Sequence, residues 1–108
     1  MFAERMRVVN ETIFLISHEY EEDEIGQQIE TDVQREVFCD IKSIQQNEFF
    51  RAGQNGLKPE FVAEVHSFEY DGETEVLYNG EKYSVYRTYY RESDDKTELY
   101  LTEKAGIK

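Results

Sequence analysis

Glu75-Val76-Leu77-Tyr78-Asn79-Gly80-Glu81-Lys82-Tyr83-Ser84-Val85-Tyr86-Arg87-Thr88-Tyr89 decides the fold of this chain. Two runs rich in β-branched and aromatic residues flank an Asn-Gly pair. A two-residue type I′ turn needs positive φ at both central positions, and its twist matches that of the strands it joins, so Asn79-Gly80 predicts a tight β-hairpin. On either side the same grammar continues. Arg35 to Ser43 alternates, with Val37, Cys39 and Ile41 on one face and Glu36, Asp40 and Lys42 on the other, as a half-buried strand does. Phe38 interrupts the polar face and is expected to meet a neighbouring element. Glu60 to Phe68 alternates through Phe61, Ala63 and Val65 against Glu60, Glu64 and His66, and Thr97 to Thr102 turns Leu99 and Leu101 inward. Thr12 to Tyr20 is a strand carried by the continuous run Ile13 to Ile16.

Between these strands the punctuation is clear in places. Tyr70-Asp71-Gly72 and Ser93-Asp94-Asp95-Lys96 are turns. Ser43 and Gln46 fit a capping box, and Gly53 suits the stop of a helix of about two turns, held down by Phe49 or Phe50. Gln54 to Pro59 is a loop. Glu21 to Gln34, with acids packed from Glu19 to Glu24, reads as a long loop or a weak exposed ribbon, because like charges this dense repel one another. Met1 to Glu11 is a helical turn or a loose tail, and Glu103 to Lys108 is a tail. The expected architecture is mainly β: one domain over residues 1–108, a small antiparallel β-barrel or sandwich of about six strands with one short helix.

The 108 residues include 8 Tyr and 7 Phe but no Trp, enough aromatic surface to pack a thin core without staples. Lys and Arg total 12 against 24 Asp and Glu, giving a net charge of −12. Phosphate contacts to nucleic acid and docking on anionic lipid both need the opposite sign. Such charge supports solubility, and it suits a surface that repels DNA or pairs with a basic protein. The single Cys39 excludes an internal disulfide and fits a reducing compartment. Met1 to Asn10 has charges at Glu4, Arg5 and Arg7 and resembles neither a leader nor a membrane span.

No residue pattern predicts catalysis, a cofactor or a metal. The acids of Glu21, Glu22, Asp23 and Glu24 are contiguous, unlike the spaced oxygen ligands of a calcium loop, and a solvated loop is the expected role. His18 and His66 lack the spacing of a zinc site and are expected to be ordinary strand residues. Cys39 lies on an apolar face, where a thiol acts as a small hydrophobe. The tyrosines at 78, 83, 86, 89, 90 and 100 could stack bases, but they sit among Glu75, Glu81, Glu92 and Glu98 rather than in a basic groove, so core and cross-strand packing is expected.

From Val37 onward the chain resembles the head closure family of tailed bacteriophages and prophages, also called head–tail joining or stopper proteins. Val37-Phe38-Cys39-Asp40-Ile41-Lys42-Ser43-Ile44 resembles that family's first core strand. Glu48-Phe49-Phe50-Arg51-Ala52 with Gly56-Leu57-Lys58-Pro59-Glu60 resembles its short helix and loop. Tyr70-Asp71-Gly72-Glu73, Tyr78-Asn79-Gly80 and Tyr83 to Tyr89 resemble its closing hairpin, and Glu98-Leu99-Tyr100-Leu101 its last strand. Met1 to Gln34 departs from the pattern. The resemblance implies a non-enzymatic barrel subunit that forms a ring beneath the portal and its adaptor. That ring closes the head after packaging and joins it to the tail, with DNA only as passing cargo. It also implies assembly in the bacterial host cytoplasm, no membrane and no cofactor. High net charge predicts a monomer in isolation. The expected partner or channel loops are Glu21, Glu22, Asp23 and Glu24, and Gly53, Asn55, Gly56 and Lys58. The competing expectation is a small soluble module that binds a protein or peptide through an exposed strand edge. An enzyme is the weakest third.

Overall fold

Asn79 and Gly80 both take positive φ, 53° and 81°, and the flanking Tyr78 and Glu81 are paired across the turn. The type I′ hairpin is therefore present as the sequence predicts. The computed structural model describes residues 7–103, with side chains from residue 10. Over that range the strands are β1 (Arg7–Glu22), β2 (Gln28–Lys42), β3 (Pro59–His66), β4 (Glu75–Tyr78), β5 (Glu81–Arg91) and β6 (Lys96–Glu103). One helix, α1 (Gln46–Gly53), joins β2 to β3, and a 3-10 turn spans Ser67–Glu69. All neighbours are antiparallel, and the sheet closes on itself in the order β1-β2-β3-β6-β5-β4. The fold is a closed six-stranded antiparallel β-barrel, not a sandwich.

Inward-facing positions fill the barrel. Ile13 and Leu15 from β1, Val37 and Cys39 from β2, Ala63 and Val65 from β3, Val76 from β4, and Leu99 and Leu101 from β6 form one buried cluster. Phe61 closes its lower end, with Tyr78 and Tyr83 ring centroids 5.3 and 4.9 Å away. Such tilted and edge-to-face aromatic pairs add to the burial energy. At the upper end the 67–74 connection folds back, and Tyr70 packs on the core while its hydroxyl donates to the Glu73 carbonyl at 2.6 Å. Arg35 holds the same loop by donating to the Glu73 carboxylate at 2.7 Å.

Several expectations need correction. The first strand does not begin at Thr12 but at Arg7, with a register shift between Val8 and Glu11 where Asn10 takes φ 60°. Only Met1–Met6 of the expected N-terminal tail, and Lys104–Lys108 of the C-terminal one, lie outside the described residues. Glu21 to Gln34 is no long loop. β1 and β2 pair without interruption from Ser17↔Val33 to Glu22↔Gln28, so the exposed-ribbon alternative is the one observed. β3 ends at His66, and Phe68 lies in the 3-10 turn, 79% exposed.

Ser43 does not cap the helix. The N-cap is Gln45, extended at φ −76° and ψ 155°, with no side-chain cap bond. Gly53 lies inside the helix, and the left-handed residue that ends the segment is Gly56 at φ 79°. Phe49 and Phe50 do not anchor the helix, for both are exposed, and the buried pair is Glu48 and Ala52. Among the described residues Phe38 meets no covering element, and it is 68% exposed. Among the tyrosines, 78, 83, 86 and 100 pack as expected, whereas Tyr89 and Tyr90 are exposed.

Candidate functional site

The acidic segment becomes a β-arm. The last β1–β4 pair is Ile16↔Glu75, and beyond it, among the described residues, β1 has only β2 as a strand neighbour. Six further cross-strand pairs carry the ribbon roughly 20 Å past the barrel wall at about 3.4 Å per residue. Residues 17–34 contain seven acids and no Lys or Arg, more than half of the net charge of −12. Tyr20, Ile25 and Ile29 are exposed along it.

The tip is built by its own chemistry. Asp23 accepts from the amides of Ile25 and Gln27 at 3.0 and 2.9 Å, and its amide donates to the Gln27 carbonyl. Gly26 takes φ 87°, the left-handed position that a three-residue hairpin loop needs. Of the expected loop residues, Glu21 and Glu22 thus end β1, and Asp23 and Glu24 form the turn.

The other expected loop lies elsewhere. Asn55 and Leu57 donate to the Ala52 carbonyl and Gly56 to that of Gly53, which winds the chain out of the helix. The Lys58 carbonyl accepts from the Thr102 hydroxyl at 2.8 Å, which fixes the entry into β3. In an antiparallel barrel the β1–β2 turn and the β2–β3 connection fall at opposite ends. The structure therefore does not bring Glu21, Glu22, Asp23 and Glu24 together with Gly53, Asn55, Gly56 and Lys58.

Between the ends, the outer face of β2, β3, β6 and β5 carries an ion-pair network that alternation alone could not show. Glu64, on the polar side of the Glu60 to Phe68 alternation, is 1% exposed. It pairs across strands with Glu98, a repulsive register taken alone. Lys42 bridges the two carboxylates at 2.7 and 3.2 Å, and Arg91 does the same at 2.9 and 2.7 Å while also gripping Asp94. Burial pushes the Glu64 carboxyl up, but the bonds from Arg91 and Lys42 outweigh it and hold it at about 2. The Tyr100 hydroxyl donates to Glu98 at 2.7 Å, and burial together with that carboxylate raises it to about 12.

The network then reaches the helix. A bulge between Val85 and Arg87 lets Tyr86 and Arg87 both leave the outer face of β5. Arg87 lies over the Tyr100 ring at 4.0 Å and donates to Glu48 at 2.8 Å. Tyr86 donates to the same carboxylate at 2.7 Å, and Arg51 pairs with it too. Burial raises the Glu48 carboxyl, but these donors lower it further than burial lifts it. The helix is therefore clamped by charge where two phenylalanines seemed the natural anchors. Four carboxylates (Glu48, Glu64, Asp94 and Glu98) meet four cations (Lys42, Arg51, Arg87 and Arg91), so this network is internally neutral.

Cys39 is 4% exposed, and burial, with Asp40 and Glu11 nearby, pushes its thiol up to about 12. His66 stacks on Phe68 at 5.6 Å. His18 has richer company than a lone strand histidine: its Nδ1 lies 2.7 Å from Asp32 and 3.0 Å from Glu30, and its Nε2 lies 3.4 Å from Glu75. The hydrogen bond with Asp32 raises its pKa. Sequence spacing concealed this cluster, because register on the arm, not proximity along the chain, assembles it.

Where β2 parts from β3, a cleft of about 190 Å³ is lined by Asn10, Phe38, Asp40, His66 and Lys96. No membrane-crossing helix occurs among the described residues. Fold and site together define a closed acidic β-barrel with a projecting β-arm. Compared with protein-family models and with curated proteins, the chain matches none.

Proposed function

We propose that this chain is a non-enzymatic structural connector of a tailed phage or prophage particle, assembling as a ring below the portal and adaptor to close the head after packaging and join it to the tail. The observation that carries this reading is the ordered resemblance from Val37 onward. Its segments fall in sequence on β2, α1, the 53–58 loop, the 70–73 connection, the β4–β5 hairpin and β6. The part that departs from it, Met1 to Gln34, takes in the arm and also the barrel portion of β1. Two further features support it. The arm and the 53–58 loop lie at opposite ends of the barrel, as a subunit contacting one neighbour above and another below requires. An acidic surface lets DNA pass as cargo without sticking. The Glu64 and Glu48 carboxylates are held ionised by cations, below the pKa that suits proton transfer near neutral pH.

On this reading the chain is monomeric when isolated, forms its ring only on the portal–adaptor complex, and acts first in the host cytoplasm and then in the virion. Mixing the purified chain with its neighbouring portal–adaptor complex tests the proposal. Ring density below the adaptor is expected, and no binding at micromolar concentration contradicts it.

A second reading has its own observation. β2 pairs with β3 only through Asp40, Ile41 and Lys42, so from Gln28 to Cys39 its outer edge has no strand neighbour among the described residues, and exposed Phe38 stands beside it. A small binding module unrelated to phage assembly would use that edge to add a peptide strand. Gene neighbourhood separates the two: flanking portal, capsid and tail genes favour the connector, and isolation from them favours the module.

A further inference from the structure

We propose that His18, Glu30 and Asp32 form a binding site for a divalent transition-metal ion of the zinc class at the base of the β-arm. His18 on β1 pairs directly with Asp32 on β2, and Glu30 lies two residues along β2 on the same face. The three side chains thus converge by register. Their ligand atoms all lie within 4.8 Å of one another, and the imidazole Nδ1 is 2.7 Å from Asp32 Oδ1 and 3.0 Å from Glu30 Oε2. Ligands about 2.1 Å from a zinc ion are about 3.4 Å apart at the tetrahedral angle, so these side chains, all exposed, need to part by less than about 1 Å to take one between them. One imidazole nitrogen with two carboxylates suits zinc or its neighbours, because calcium and magnesium take oxygen ligands.

The second nitrogen supplies an independent pointer. Nε2 faces the Glu75 carboxylate at 3.4 Å, and Glu75 belongs to β4, outside the arm. When Nδ1 binds the ion, Nε2 keeps its proton and donates it to that carboxylate. This carboxylate–histidine–metal relay fixes the ring and raises its basicity. The position has a mechanical consequence. The site lies just beyond Ile16↔Glu75, the last pair before the arm leaves the barrel, so an ion there ties β1 to β2 and, through His18, both to β4. The seven acids of the arm, with no cation among them, draw cations to the site.

The test uses the full chain stripped with chelator, titrated with zinc chloride by calorimetry and followed by proton–nitrogen spectra of the histidine rings. One ion per chain is expected. The Nδ1 resonance of His18 should shift on binding while Nε2 retains its proton and the His66 signals stay in place. His18→Gln, Glu30→Gln and Asp32→Asn should each weaken binding by about tenfold or more. Glu22→Gln, on the same ribbon nearer the tip, should leave it unchanged, and far-UV circular dichroism should show every variant folded. Absence of binding overturns the proposal. So does equal affinity in wild type and His18→Gln, or equal weakening by Glu22→Gln, since either identifies a diffuse counterion cloud on the arm.

Discussion

The barrel and the arm are made from the same two strands and obey different physics. Below Ile16 and Gln34, β1 and β2 turn Ile13, Leu15, Val37 and Cys39 into a core that they share with four other strands. Above that level the same ladder continues with no core beneath it, and every residue from His18 to Tyr20 and from Gln28 to Asp32 is exposed. Backbone pairing alone is weak in water, and an isolated two-stranded ribbon is at best marginal. The arm therefore has local order, written by the Asp23 and Gly26 turn, but little stability of its own. Its charge keeps it from collapsing onto the negative barrel ends and leaves it available to a partner.

The sharpest way to break this comparison is to make the same kind of cut in both regions. Leu99→Ala removes a fully buried side chain and should cost about 3–4 kcal/mol in urea unfolding, whereas Ile29→Ala on the arm should cost less than about 0.5 kcal/mol. A large loss at Ile29 would mean that the arm packs on something. Next in size is the ionic wall. Glu64→Ala leaves Lys42 with Glu98, and Arg91 with Glu98 and the exposed Asp94, and should cost on the order of 3 kcal/mol.

The same group has a pH signature. Its folded pKa, about 2, lies below the usual carboxylate value near 4.5, so its contribution is fully present above about pH 4.5 and is lost as the pH falls to and through about 2. Acid titration of stability should flatten in the variant over that window. Glu48→Ala frees the helix from Tyr86 and Arg87 and should cost about 2 kcal/mol. The extra amide exchange should be confined to residues 46–53. Smallest is Gly80→Ala: open space surrounds the position, so the cost of about 1 kcal/mol comes from its positive φ alone.

The parts of the barrel that could be read from residues are those where burial imposes a period. Asn79-Gly80 fixed a turn, and alternation fixed the buried faces of β2 and β6. The arm was obscure because neither face is buried, so acids occupy both and no period of two emerges from Glu19 to Glu24. Gly26 at the close of a three-residue loop, followed by Ile29, Thr31 and Val33 at alternate positions, was the available signal. Glu64 misled for the opposite reason. It stands on the outward face as alternation requires, but long side chains from β2 and β5 cover it, and no pattern within one strand reports what its neighbours lay over it. The helix repeated that lesson, since Glu48 took the buried position and left both phenylalanines outside. The His18 cluster needed strand register, which residue spacing did not reveal.

Native-state hydrogen exchange in the presence of chelator tests most directly the claim that a marginal arm rides on a stable barrel. Amides of residues 18–22 and 28–32 should exchange through local opening, at rates that do not follow global stability. Those of Ile13, Leu15, Val37, Leu99 and Leu101 should exchange only with the cooperative unfolding of the whole barrel. Protection of the arm amides at the level of the core would contradict the account.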